Sequence, residues 1–256
     1  MINFTINTIK ILFLLGFLVI IHEGGHFIIA KLCKVKVNEF SVGFGKKLLQ
    51  KQWKETKYSL RLIPLGGYVN MEGEDEASDK EGSFSKAKLW KRFAIVFAGP
   101  IVNILFGLIV YFIIISTFGI QFADPARDTI QNRMYYGAQA TGKFVVTMAD
   151  SLKMLFTGGV AVDQMVGIVG ISEIVVQTNG LMNYIYLMAV ISVSLGVTNL
   201  LPIPALDGGK IVILLIEAIR RKPMPIETEA KIQLIGFTIL IGLTIVVTYN
   251  DIVRIF

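Results

Sequence analysis

Residues 9–30 read IKILFLLGFLVIIHEGGHFIIA. Lys10 and Glu23 are the only charged side chains in this run. An apolar run of this length reads as a membrane-spanning helix. Inside it stands His22-Glu23-Gly24-Gly25-His26, an H-E-x-x-H pattern. On a helix, positions i and i+4 share a face, so the two imidazoles point the same way, as two ligands of one zinc would. Glu23 follows the first histidine directly, where a general base for an activated water belongs. The chain has 2 histidines in all, and both are here. An ionisable cluster at membrane depth is costly unless it is paired or coordinated, which makes it a candidate functional site. A catalytic zinc takes three protein ligands, and with no third histidine the remaining ligand must be Asp, Glu or Cys33.

The wider composition agrees with a membrane protein. Of 256 residues, 54% are hydrophobic, and the mean hydropathy is +0.64. That is too apolar for a soluble domain. The net charge of +6 is concentrated: fourteen Lys and Arg lie between Lys31 and Arg92, mixed with acids. This reads as a cytoplasmic loop and not as a nucleic-acid surface. One cysteine excludes an internal disulfide, and Cys33 reads as a small buried or interfacial residue. The first apolar run carries the motif and lacks a small-residue cleavage site, so it is not expected to be a cleaved signal peptide.

Four spans are expected, at about 9–30, 93–118, 181–201 and 232–247, the last the shortest. The stretch 119–180 has four Lys/Arg, and 202–231 has five in half the length. The positive-inside rule then places both termini outside and the first and third connections in the cytoplasm. His26 would lie just below the cytoplasmic face.

The first loop, about 35–70, is rich in β-formers, with Pro64 and the pair Gly66-Gly67 followed by Tyr68 and Val69. A small sheet or hairpin at the membrane surface is expected, with an edge strand or a close backbone approach near the glycines. The acidic stretch Glu72–Glu81 is expected to be mobile. Gly99, Asn103 and Gly107 recur every four residues in the second span and give it a small, polar face suited to helix packing. The external connector 119–180 is expected to hold an amphipathic helix at Ala140–Phe156 and an apolar, partly inserted segment at Val160–Val176. In Asn199-Leu200-Leu201-Pro202-Ile203-Pro204-Ala205-Leu206-Asp207-Gly208-Gly209, two prolines break the third span. Broken helices at membrane depth are tolerated where they line a watery cavity. Asp207 is the only acid in the break and its depth matches the histidines. It is the expected third ligand, the alternative being a helix N-cap for the stretch Gly208–Arg221. Asn199 could hydrogen-bond a substrate carbonyl.

These stretches together resemble the site-2 protease family of intramembrane zinc metalloproteases, and within it the bacterial RseP-like branch of stress-response regulators. The resemblance rests on H-E-G-G-H at 22–26, P-L-G-G-Y-V at 64–69, F-A-G-P-I-V-N at 97–103 and N-L-L-P-I-P-A-L-D-G-G at 199–209. It implies a mainly α, polytopic membrane protein: one domain over 1–256, with about four transmembrane helices and a small membrane-associated β-region. It implies Zn2+ on His22, His26 and Asp207, Glu23 as catalytic base and Asn199 as a substrate-positioning catalytic residue. Gly66, Gly67, Tyr68, Val69 and Asn103 are the expected substrate-binding residues. The implied partners are membrane proteins with a single transmembrane helix and the lipid bilayer, with no nucleic acid. The implied location is the bacterial inner or plasma membrane, in regulated intramembrane proteolysis. That branch usually carries PDZ domains between the second and third conserved spans, and the connector here is too short for one. Gly24 stands where the family commonly has a bulky apolar residue. The rival readings are a non-catalytic substrate-binding relative and a zinc transporter.

Overall fold

The structure, a computed structural model, describes residues 2–74, 76, 78–159 and 165–255. Seven α-helices and one β-hairpin are described, in the order α1 (Ile2–Leu32), β1 (Val37–Trp53), β2 (Thr56–Met71), α2 (Leu89–Ile114), α3 (Ile130–Phe156), α4 (Ile168–Gln177), α5 (Leu181–Asn199), α6 (Asp207–Arg220) and α7 (Ile226–Ile255). Among the described residues, four stretches are long and apolar enough to cross a membrane: Thr5–Leu32, Leu89–Gly119, Leu181–Asn199 and Ile226–Arg254. These are the four expected spans, at different lengths. The last is not the shortest: α7 extends beyond the expected 232–247 at both ends and takes in polar residues such as Glu227, Glu229 and Asp251 that flank the apolar stretch. The third ends at Asn199, before Pro202 can obstruct it.

The chain divides into two compact units. The first holds residues 1–103 and 195–241. In it, α1 ends on a tight reversal. The Val35 N–H donates to the Ala30 carbonyl and the Lys34 N–H to that of Lys31, with Lys34 left-handed at φ 62°. This is the Schellman pattern, and its hydrophobic contact is made as Val35 packs with Ala30 in the core. The turn sends β1 back along α1. That core comprises Val37, Val69, Met71, Phe84, Ile95 and Leu214 among others, so helix, hairpin, α2 and α6 are held by one apolar cluster.

The hairpin matches the expected β-region. Next to its turn Trp53 faces Thr56, and further back residues 39–42 hold 67–70 on one side and 57–60 on the other. Among the described residues, 67–70 is paired on one side alone. Of the acidic stretch 72–81, residues 75 and 77 lie outside the described residues, and the first residue, Glu72, is tied by its carboxylate. Hydrogen bonds from Ser78, Lys80 and Asn38 hold the Glu72 carboxyl down at about 2, so these ties persist through the neutral range and are lost only in strong acid. Phe84 is buried beneath. A buried ion pair, Arg92 Nη1 to Glu217 Oε2 at 2.6 Å, joins α2 to α6. The other Glu217 oxygen accepts from the Met224 N–H at 2.8 Å.

Gly24 and Gly25 separate cleanly. A Cβ on Gly25 would stand 2.7 Å from the Ala98 carbonyl oxygen, whereas one on Gly24 would meet nothing within 4 Å. Gly25 is therefore the point where the backbones of α1 and α2 touch, and Gly24 is an ordinary helix position. Gly25→Ala is expected to cost about 1–3 kcal/mol through overpacking, and Gly24→Ala to gain about 1 kcal/mol of helix propensity. Thermal melting in detergent reads both, and equal shifts would contradict this contact.

The second unit holds residues 104–194 and 242–256. Here α3 begins at Ile130, ten residues earlier than the amphipathic pattern implies, because Thr129 caps it through the Asn132 N–H. Of the expected segment 160–176, residues 160–164 lie outside the described residues, and the short helix α4 takes up the remainder from Ile168 on. Its N-terminus is capped from α7: Asp251, 1% exposed, accepts from the N–H groups of Gly167 and Gly170. Gly107 packs closely on Ala189 and Val193 of α5.

Candidate metal centre

Both histidines project from one face of α1, and Asp207 is the first residue of α6. The N-cap of α6 is Leu206, so the capping alternative for Asp207 does not hold. Its carboxylate turns to the histidines instead. His22 Nε2 lies 3.0 Å from Asp207 Oδ2, His26 Nε2 lies 3.5 Å from the same oxygen, and the two Nε2 atoms are 3.2 Å apart. Among the described residues these are the one group of three His, Cys, Asp or Glu side chains that could hold a metal. Cys33 is not part of it and packs in the apolar core.

The outer contacts decide which atoms face inward. His26 Nδ1 donates to the Ile95 carbonyl at 2.8 Å, which leaves a bare lone pair on Nε2. Pro100, on the same helix, has no N–H to offer the Val96 carbonyl. The Asn103 side-chain amide lies 3.4 Å from His22 Nδ1 and is fully buried. An amide can present either end, and oxygen toward Nδ1–H leaves the Nε2 lone pair for the cluster. Three lone-pair atoms so close together repel unless a cation lies among them. Donors held at about 2.0–2.2 Å by a tetrahedral zinc stand about 3.3–3.6 Å apart, and the observed separations of 3.0, 3.2 and 3.5 Å lie within a few tenths of an ångström of that range. The residues fit the ion.

The comparisons with known proteins agree. The model of peptidase family M50 matches residues 10–243. The chain belongs to peptidase family M50, the site-2 protease family. A relative from Clostridium acetobutylicum, provisionally named a zinc metalloprotease, is 31% identical, covering 96% of this chain and 97% of its own. A second from Fusobacterium nucleatum, named in the same way, is 28% identical over 95% and 97%. The zinc metalloprotease RasP of Bacillus licheniformis is 25% identical over 98% and 99%. That last alignment runs over 416 positions, more than the 256 residues here, so RasP carries inserted sequence that this chain lacks. This M50 protein is a zinc metalloprotease of a multi-pass membrane type.

Glu23 lies beside the ligands and not among them. It lines a cavity of about 290 Å³ together with His22, His26 and Asp207, and with Tyr68, Val69 and Asn199 among the expected substrate contacts. Asn199, the last residue of α5, donates its amide to the Leu195 carbonyl at 3.0 Å. Gly67 is set against Glu23, where an added Cβ would stand 3.4 Å from Cγ. Gly66 packs against the Phe44 ring. Asn103, expected on the substrate side, is placed behind His22, because the second span turns Gly99 and Asn103 toward α1. Gly99 on that face leaves room for the His26 ring. Two side chains at the cavity carried no signal in sequence: Glu74 Oε1 and Lys210 Nζ pair at 2.6 Å and both line it. They are 136 residues apart, and no spacing rule connects them.

Asn103→Ala is expected to weaken zinc binding about 10–100-fold while the helices stay assembled, the usual cost of removing an outer partner of a metal-bound histidine. Competition with a chromophoric chelator measures this. Unchanged affinity would mean that His22 keeps its tautomer without help.

Proposed function

We propose that this protease hydrolyses peptide bonds in or beside the transmembrane segments of single-span membrane proteins, in regulated intramembrane proteolysis. The observation that carries the reading is that the H-E-x-x-H pair sits on a helix long and apolar enough to cross the membrane, with the Asp207 carboxylate brought to it from α6. His22, His26 and Asp207 would hold the ion. When bound, zinc supplies Lewis acidity and lowers the pKa of a coordinated water toward ~7. The Glu23 carboxylate would take a proton from the attacking water and return it to the leaving amine. Asn199 steadies the developing oxyanion from the end of α5. A helical substrate hides its carbonyls and must be extended before attack. The edge 67–70, next to Glu23 through Gly67, offers backbone groups for strand addition.

The test is incubation of purified protein with a model single-span substrate, with and without a zinc chelator. Cleavage in the apolar segment that chelator abolishes and zinc restores supports the reading. No cleavage with the metal site filled would favour a non-catalytic, substrate-binding relative. A zinc carrier needs successive ligand sets, and the described residues form one.

Orientation belongs to the same proposal: both termini outside and the metal centre toward the cytoplasm. A cysteine at Ser78 is expected to react only with reagents that reach the cytoplasm, and one at Gln131 from outside. The opposite labelling would overturn this topology.

A further inference from the structure

Asp207 is delivered by the break at 200–206, and one residue of that break has a backbone that alanine avoids. Ala205 is left-handed, with φ 75°, where its Cβ crowds the following carbonyl oxygen. Within the break, Ile203 N–H donates to the Leu201 carbonyl and Leu206 N–H to that of Ile203. The Ala205 N–H is answered from α7: it donates to Gln233 Oε1 at 2.6 Å. One turn further along α7, Gly236 is pressed on Pro204, with an added Cβ falling 2.5 Å from its carbonyl carbon. α6 itself begins without a side-chain cap at Leu206, so its first turn does not fix Asp207 by that means. Gln233 stands in a span where an amide costs free energy unless it is bonded.

We infer that Gln233 is a positioning residue for the metal centre: its side-chain oxygen holds the strained Ala205 peptide and so keeps Asp207, two residues on, in ligating position. The inference rests on the reading of His22, His26 and Asp207 as a zinc site. It assigns to α7 a role that its apolar sequence does not announce. Gln233 touches neither the ion nor the Asp207 carboxylate. It acts through one backbone N–H.

The test is the rate of zinc release from purified protein to a chromophoric chelator. Gln233→Ala is expected to speed release by about tenfold or more, the scale of an outer partner's effect. Gly236→Ala, which would push α7 off Pro204, is expected to act in the same direction. Glycine adopts left-handed backbone without steric cost. Ala205→Gly is therefore expected to release zinc at close to the wild-type rate, and to bring Gln233→Ala back toward that rate when the two are combined. A merely structural loss at Gln233 would not be repaired at Ala205. Release from Gln233→Ala at the wild-type rate, or no rescue by Ala205→Gly, would overturn the inference. Should Gln233→Ala not be recovered folded, Gly236→Ala with and without Ala205→Gly reads the same coupling. Wild-type protein that binds no zinc would overturn the metal site and this inference with it, before any variant is compared.

Discussion

Glu23→Gln is expected to leave zinc bound and the helices intact while cleavage of a transmembrane substrate falls about 10²–10⁴-fold or further, the scale of one general acid–base group. Glutamine keeps the size and shape of the side chain and removes the ionisable oxygen. The geometry supports separating base from ligand. His22 and His26 return to one face of α1, and Glu23 is turned about 100° from His22 on the same helix. Its carboxylate faces the cavity beside the ligand cluster and the edge at Gly67. A loss of about 10⁴ corresponds to about 5.5 kcal/mol of transition-state stabilisation. The measurement is cleavage by wild type and variant at matched zinc content. Equal rates would remove Glu23 from the mechanism, and a variant without zinc would make it a ligand.

Asp207→Ala is expected to have the larger effect on the metal itself. Two histidines remain, with Nε2 atoms 3.2 Å apart, but a catalytic zinc needs a third protein donor. The loss should exceed the 10–100-fold that removing an outer partner costs, so elemental analysis after gel filtration should find the variant essentially empty. Asp207→Asn keeps the volume and one oxygen and is expected to fall between. Full zinc retention in Asp207→Ala would move the third ligand elsewhere, and the packed position of Cys33 makes it a poor substitute. Cleavage should disappear with the zinc in this variant, in contrast to Glu23→Gln, where it disappears without it.

Much of this was legible in the chain because helical periodicity and hydropathy are local. The i, i+4 spacing places His22 and His26 on one face whatever surrounds them. Apolar length marks four spans. Two prolines and one acid between Asn199 and Gly208 mark the break and its candidate ligand. The glycine pair at 208–209 does what its composition implies, since added Cβ atoms would strike the carbonyls of Leu200, Leu201 and Ile203. The ends of the elements were less legible. Polar residues that cap or extend a helix, such as Thr129 and the first turn of α7, carry little hydropathy signal. The ties of Glu72 were not legible because composition does not show that Ser78 and Lys80 fold back on it or that Asn38 reaches it from β1.

The membrane class and the family were therefore readable from the chain alone, together with the candidate ligand pair and base on α1. Only the tertiary structure decided which faces meet. It brought Asp207 to His22 across 185 residues and set Asn103 behind His22 instead of in the cavity. It also paired Glu74 with Lys210 and placed Gln233 on the Ala205 peptide. The physical reason is that periodicity says which residues share a face, whereas the partner of that face is settled by close packing between helices. A single methyl group at Gly25 or Gly236 would change that packing.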